Sequence, residues 1–228
     1  SVAVVGIDME NTTETAIGKN VKLQAGSAEI SADHKDRGNY EIESVAAGEY
    51  SGTGADTRYT VNSTSKVTIG DGTTVTTERE TAIRADNTSE KAWKDGSEKE
   101  NATSAGAALA SGNGVVSVTK ITHTTEANLG KVTLQASASD LTAEEKAAGK
   151  TLHDKKAITI DAASRVKAHD NNALSTGAAV GAAHVKETLD VKATTSATVS
   201  GGASLKAGET EKANAKNKAW EAKAEGAS

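Results

Sequence analysis

The 228-residue chain contains no cysteine, no proline and no phenylalanine, and only two tryptophans and three tyrosines. Without cysteine there can be no disulfide, no thiolate metal site and no cysteine nucleophile. Without proline every residue keeps a backbone N–H, which suits interior ladder positions that proline cannot fill. Aromatics at 2% deny the chain large core side chains and leave few rings for stacking on nucleic acid or sugar. No apolar run reaches the length of a transmembrane helix. A net charge of -5 and a pI near 5.6 lack the basic face that phosphate recognition needs, so no nucleic-acid partner is expected. Mixed-charge runs such as "DHKDRG" and "SEKAWKDGSEKEN" read as solvated surface. The chain begins at Ser1 with neither methionine nor signal peptide and ends without an anchor motif, so a segment of something longer is expected.

Residues of hydrophobic type make up 36% of the chain, and alanine supplies many of them. That composition leaves either disorder or a fold with a narrow interior. A repeat decides between them. "TTETAIGKNVKLQAG" (Thr12 to Gly26) returns as "TTEANLGKVTLQA" (Thr124 to Ala136) and as "TTSATVSGGASLKAG" (Thr194 to Gly208), with a weaker copy, "TSKVTIGDGTTVTTE", at Thr64 to Glu78. The starts at Thr12, Thr64, Thr124 and Thr194 are spaced by 52, 60 and 70 residues. Self-similarity of this kind marks a solenoid or array whose connecting segments vary in length.

Within the phrase, apolar residues alternate: Ile17, then Val21, Leu23 and Ala25, then Ala28, Ile30 and Ala32. The same alternation runs through Val67, Ile69 and Val75, through Val132, Leu134, Ala136 and Ala138, and through Ala197, Val199, Ala203, Leu205 and Ala207. Period two specifies β-strand, and short alternating runs broken by glycine corners predict an all-β fold, a right-handed parallel β-helix. Its inward positions stack from coil to coil, so small and β-branched residues suffice for a core. At roughly 20 to 25 residues per coil the chain would make on the order of nine coils, a rod about 40 Å long. "NYEIESVA", "RYTVNS", "VVSVTKITH", "AITIDAAS" and "ETLDVKATT" read as further strands. "DLTAEEKAAGK" has Thr142 and Glu145 at capping-box spacing and Gly149 as a stop, predicting a short helical excursion. The Lys/Glu/Ala-rich segments 86–104 and 209–228 are read as strands continuing the coil, and "SGNG" (Ser111 to Gly114) as a turn. Residues 1–228 thus form one segment with imperfect repeats.

In these residues, and above all in "GAAVGAAHVKETLDVKATTSATVSGGASLKAGE" (Gly177 to Glu209), the chain resembles the repeats of filamentous-haemagglutinin-like and leukotoxin-family filamentous adhesins of Gram-negative bacteria. The likeness covers most of the chain and is one of composition and pattern; it assigns no individual residue a role. It implies the shaft of a cell-surface adhesin or fibre, exported through an outer-membrane partner and located outside the cell, within a much longer protein. Open ends of such a rod expose unpaired strand edges, so end-to-end self-association into filaments is expected, alongside a surface receptor that the sequence does not name.

Catalytic and metal chemistry find little purchase. His34, His123, His153, His169 and His184 show no HExxH-like spacing and read as surface residues. No GxSxG elbow, phosphate-binding loop or dinucleotide motif occurs. Carboxylates such as Asp71, Asp161 and Asp190 are the candidates if the chain were instead a β-helical polysaccharide-acting enzyme or carbohydrate-binding module. "GDGTTV" (Gly70 to Val75) is one fragment of a calcium-binding nonapeptide and reads better as a glycine corner. In "TTVTT", Thr73, Val75 and Thr77 share one face and Thr74 and Thr76 the other; the pairs are too sporadic for an ice-ordering surface. No cofactor and no catalysis are expected. Sequons at Asn11, Asn62, Asn87 and Asn101 are candidate glycosylation sites.

Overall fold

The computed structural model describes residues 1–91, 93–94, 97–98, 102–136, 144, 147–148, 158–170, 172–207 and 214–218. Nearly all of them are β-strand. A first layer comprises β1 (Val2–Ile17), β2 (Lys22–Ala25) and β3 (Ala28–Gly38); a second comprises β4 (Ile42–Ile69), β5 (Thr74–Thr77) and β6 (Thr81–Lys91). A two-stranded antiparallel hairpin follows, β7 (Trp93–Lys94) with β8 (Ser97–Glu98). The third layer is β9 (Ala102–Leu129), β10 (Thr133–Ala136) and β11 (Ile158–Ala168), and the fourth is β12 (Asn172–Val199), β13 (Ser204–Ala207) and β14 (Asn214–Lys218). Each layer gives one strand to each of three parallel sheets, ordered β1-β4-β9-β12, β2-β5-β10-β13 and β3-β6-β11-β14.

The repeated phrase fixes the register. Thr12 pairs with Thr64, Thr64 with Thr124 and Thr124 with Thr194, so the four starts read from sequence lie side by side in adjacent strands. Behind them Leu23, Val75, Leu134 and Leu205 form one column of the second sheet, and Ile30, Ile83 and Ile160 one column of the third. Val67, Ile69, Val75, Ile83, Leu129, Leu134 and Ile160 unite all three sheets in a single buried cluster, with Ile17, Leu23, Ala197 and Leu205 of the outer layers packed against it. The alternation expected to face inward does so in the middle layers. At the ends it weakens, because a terminal layer has a neighbour on one side only: Val21 is 38% exposed and Val199 39%, whereas Leu129, the in-register mate of Val199, is buried.

The described residues form four layers where the repeat length predicts about nine coils, and three strand spacings give a stack about 14 Å deep rather than about 40 Å. The reason lies in the first sheet, where β4, β9 and β12 each run for 28 residues. Runs that read as separate strands, "NYEIESVA" and "RYTVNS" among them, largely belong to the single strand β4. Period two is interrupted inside it. Glu49, Leu109 and Ala179 are left out of the ladder, and the buried parity shifts from Ser44 before the skip to Thr53 and Ala55 after it. "SGNG" is likewise no turn: Ser111 to Gly114 lie within β9, with Ser111 and Asn113 buried.

Corners absorb the differences in length. Only three residues separate β5 from β6, whereas 21 separate β10 from β11; three separate β3 from β4, whereas 10 separate β6 from β9. Of the expected helical excursion within the 21, the described residues hold one α-type bond, from Ala148 N–H to the Glu144 carbonyl (2.9 Å). Of segment 86–104, β6 and β9 take the two ends as expected; of 209–228, only β14 lies within the described residues. The corner after the first sheet carries a left-handed residue in three layers, Asn20, Gly72 and Gly202. Above it Gly70 passes so close to the chain below that an added Cβ would sit 2.8 Å from the Gly18 carbonyl carbon, so "GDG" is the glycine corner expected rather than an ion loop.

Truncating the central column should therefore cost more than truncating its end. Leu134→Ala is expected to lower unfolding free energy by about 2–5 kcal/mol and Val21→Ser by less than about 0.5 kcal/mol in urea denaturation. Equal effects at the two positions would contradict the layer order.

Candidate functional site

Toward the middle of the long strands the apolar columns give way to polar ones, and the first and third sheets enclose a buried seam. Its residues follow from strand parity: beyond Ala32 the third sheet's inward positions are His34 and Asp36 in the first layer, Asn87, Ser89 and Lys91 in the second, and Ser164 in the third. Opposite them stand Asn11 and Thr13, Ser63 and Ser65, and His123 and Thr125. Buried polar groups need partners, and most of these find one another, Thr125 Oγ1 being left without one among the described residues. Asn11 Nδ2 donates to Asp36 Oδ1 (2.8 Å), His34 Nε2 lies 2.9 Å from Asp36 Oδ2, and Thr13 Oγ1 lies 3.1 Å from His34 Nδ1. Ser63 Oγ donates to Asn87 Oδ1 (2.9 Å), and Asn87 Nδ2 returns a bond to the Ser63 carbonyl (3.0 Å). His123 is clamped between Ser89 Oγ at Nε2 and Ser164 Oγ at Nδ1, each at 2.7 Å.

Further along, Lys91 and Asp170 form an ion pair that is almost wholly removed from solvent. Thr119 Oγ1 accepts from Lys91 Nζ and donates to Asp170 Oδ2 (2.8 Å), and Ser117 Oγ donates to Asp170 Oδ1 (3.2 Å). The Lys91 ammonium lies 5.1 Å from the Tyr40 ring centroid and 5.6 Å from that of Tyr59. Space for the rings comes from Gly38, whose column continues as Lys91 and Ala168; a Cβ on Gly38 would fall 2.2 Å from the Tyr59 ring.

Burial sets the protonation states. It pushes the His123 imidazole down to about 4, with the nearby His34 acting in the same direction and the Asp36 carboxylate opposing, so at neutral pH one ring nitrogen donates to its serine and the other accepts. Burial likewise raises Tyr59, assisted by Asp36 and Tyr40, and keeps its phenol neutral. On the outer face burial also works against the charge of Glu90, but hydrogen bonds and charge from Lys35 and Arg37 of the neighbouring layer outweigh it and hold the carboxyl below the usual glutamate range.

Several expectations are corrected here. Their polar contexts predict surface histidines; instead His123 and His169 are buried and His34 is half-buried, while His184 is exposed and His153 lies outside the described residues. The mixed-charge runs predict solvated surface; Asp36 and Lys91 point inward from them, while Arg37 points out. Both follow from continuing the alternation of Ile30 and Ile83 past the last apolar residue. Among the sequons, Asn62 is exposed on the outer face of β4 and Asn11 is half-buried against Asp36. Asn87 is fully buried and bonded to Ser63, so a glycan at Asn87 is incompatible with this fold; Asn101 lies outside the described residues. Asp71 sits at a corner, where its Oδ1 accepts the Lys131 N–H (2.8 Å), while Asp161 belongs to the third sheet and Asp190 to the first, beside Lys192. Thr73, Val75 and Thr77 face inward as expected. The outward column through Thr74 runs Lys22, Thr74, Thr133 and Ser204, not a threonine surface, whereas Thr12, Thr64, Thr124 and Thr194 do form an unbroken ladder on the first sheet. Around the skip in the long strands, Val45, Tyr50, Leu109 and Val180 are exposed apolar residues, with Tyr50, Ala110 and Val180 in one column.

No family model, no curated protein and no solved structure matches this chain.

Two outcomes test the seam and the sequons. Because the folded pKa of His123 lies below its ordinary 6.5, its contribution to stability is full above about 6.5 and is lost as pH falls toward about 4, amounting to about 3 kcal/mol; His123→Gln is expected to flatten that part of the stability–pH curve. An unchanged slope in the variant would show that the ring takes up its proton without cost. Glycopeptide mapping of material from the native host is expected to place any hexose on Asn62 and none on Asn87, and a glycan recovered at Asn87 from folded protein would count against the buried seam.

Proposed function

We propose that the three parallel sheets close into a right-handed parallel β-helix, and that the chain is the structural shaft of a bacterial cell-surface filamentous adhesin or fibre, projecting or presenting an adhesive surface. The observation that carries this reading is the in-register recurrence of one phrase, Thr12, Thr64, Thr124 and Thr194, with Leu23, Val75, Leu134 and Leu205 stacked behind it. A sequence built this way gives its inward half to ladders that any number of layers can extend, so length is the property it most readily supplies. Strands β1 and β12 border the first sheet and each has a single partner among the described residues, which supports end-to-end self-association as the means of making a filament. An outer-membrane export partner, an extracellular location in a Gram-negative bacterium and a receptor on another surface complete the proposal, with no cofactor and no catalysis. The exposed apolar residues around Tyr50 and Leu109 are a natural place for adhesive contact.

The competing assignment, a polysaccharide-acting enzyme, asks for carboxylates converging on an open groove. Asp71, Asp161 and Asp190 belong to a corner and two different sheets, which supports the shaft instead.

Antibody raised against this chain is expected to label intact, unpermeabilised cells of the bacterium that makes it and to decorate fibrous projections in electron micrographs. Labelling only after permeabilisation would overturn the proposal.

A further inference from the structure

We infer that Lys91 and Asp170 are a modification site, and that their side chains become joined by an intramolecular isopeptide bond. The two residues lie 79 positions apart, yet Lys91 Nζ hydrogen-bonds directly to Asp170 Oδ1, and both are shielded from solvent. Reactants held in contact in one orientation react as if at very high concentration, without the entropic cost of an encounter. The step begins within the pair: proton transfer from the Lys91 ammonium to the Asp170 carboxylate it contacts yields a nucleophilic amine beside a carboxylic acid.

The balance of the step is simple. The Lys91 nitrogen lone pair attacks Asp170 Cγ and a C–N bond forms; a C–O bond of the carboxyl group breaks, and its oxygen leaves as water with the acid proton and one amine proton. Nothing is oxidised or reduced. Thr119 Oγ1, on Asp170 Oδ2, and Ser117 Oγ, on Oδ1, are placed to hold the two carboxyl oxygens while charge moves onto them, and so act as positioning residues. The Tyr40 and Tyr59 rings flank the nitrogen and help keep bulk water from reversing the reaction. The product is a neutral amide that exchanges a buried ion pair for a covalent tie between β6 of the second layer and the segment that follows β11 of the third. This inference does not rest on the shaft reading, although a pulled fibre would gain from such a tie.

Mass spectrometry decides it on the 228-residue chain, purified folded. The intact protein is expected to be lighter than its sequence by one water, trypsin should fail to cut after Lys91, and fragmentation should recover a branched peptide linking Lys91 to Asp170. Asp170→Ala is expected to restore the full sequence mass, and Asp170→Asn to lose one ammonia instead of one water, because the leaving group changes. Should either variant fail to fold, the unaltered chain still gives the answer. The full sequence mass in the unaltered folded chain, or a water loss that maps to any residue other than this pair, overturns the inference.

Discussion

Everything in this molecule is subordinate to the hydrogen-bonded ladder between parallel strands of successive layers. The inner strands pair with the layers above and below along their length, apart from the skip at Glu49 and Leu109, and the ladder continues through corners: Gly70 N–H reaches the Ile17 carbonyl, Gly130 that of Ile69, and Ser200 that of Leu129. Once the backbones are so locked, equivalent side chains have no choice but to lie over one another. A column must therefore be filled by residues that tolerate their own kind as neighbours. Valine, isoleucine, leucine and alanine do so by packing, and threonine and serine by hydrogen bonding. Phenylalanine's absence is intelligible in this light, since a narrow interior gives stacked large rings little room; the two interior tyrosines, Tyr40 and Tyr59, sit where Gly38 and Ala168 make space.

The same constraint explains why the interior is not uniformly apolar. The alternation that delivers Ile30, Ile83 and Ile160 to the core also delivers residues four, six and eight positions later, and in the third sheet these include His34, Asp36, Asn87, Ser89, Lys91 and Ser164. Strands long enough to carry them inward bury polar groups that must be answered from the opposite sheet. They are answered layer by layer, Asp36 by Asn11 and His34, Asn87 by Ser63, His123 by Ser89 and Ser164. Such a network specifies alignment more sharply than a column of alanines, because sliding a strand by two residues would leave carboxylate, imidazole and amide without partners.

Much of the fold can be read directly from the residues. The four phrase starts coincide with the true register, and Thr73, Val75, Thr77, Leu134 and Ile83 face the way their alternation says. The number of layers could not be read in the same way, because periodicity reports which face a residue takes and not whether two alternating runs are one strand. The skip at Glu49, Leu109 and Ala179 reverses the parity without ending the ladder, and so imitates a strand boundary. The buried seam was legible in principle. Continuing the alternation four to six residues beyond Ala32 and Ala85 places Asp36, Ser89 and Lys91 inside, but their charge and polarity argue for the surface when read one at a time. What no pattern in the chain could supply is the meeting of Lys91 with Asp170, since it depends on how the third layer returns beneath the second after an interruption of 21 residues.

That interruption carries a wider meaning. The links from β10 to β11 and from β6 to β9 are far longer than their counterparts in other layers, yet the strands on either side stay in register with their neighbours. The scaffold thus separates what must stay constant from what is free to diverge: ornament of almost any size can be spliced at a bend while the stack beneath it remains unaware. Those bends are where sequence and length can vary at no cost to the frame.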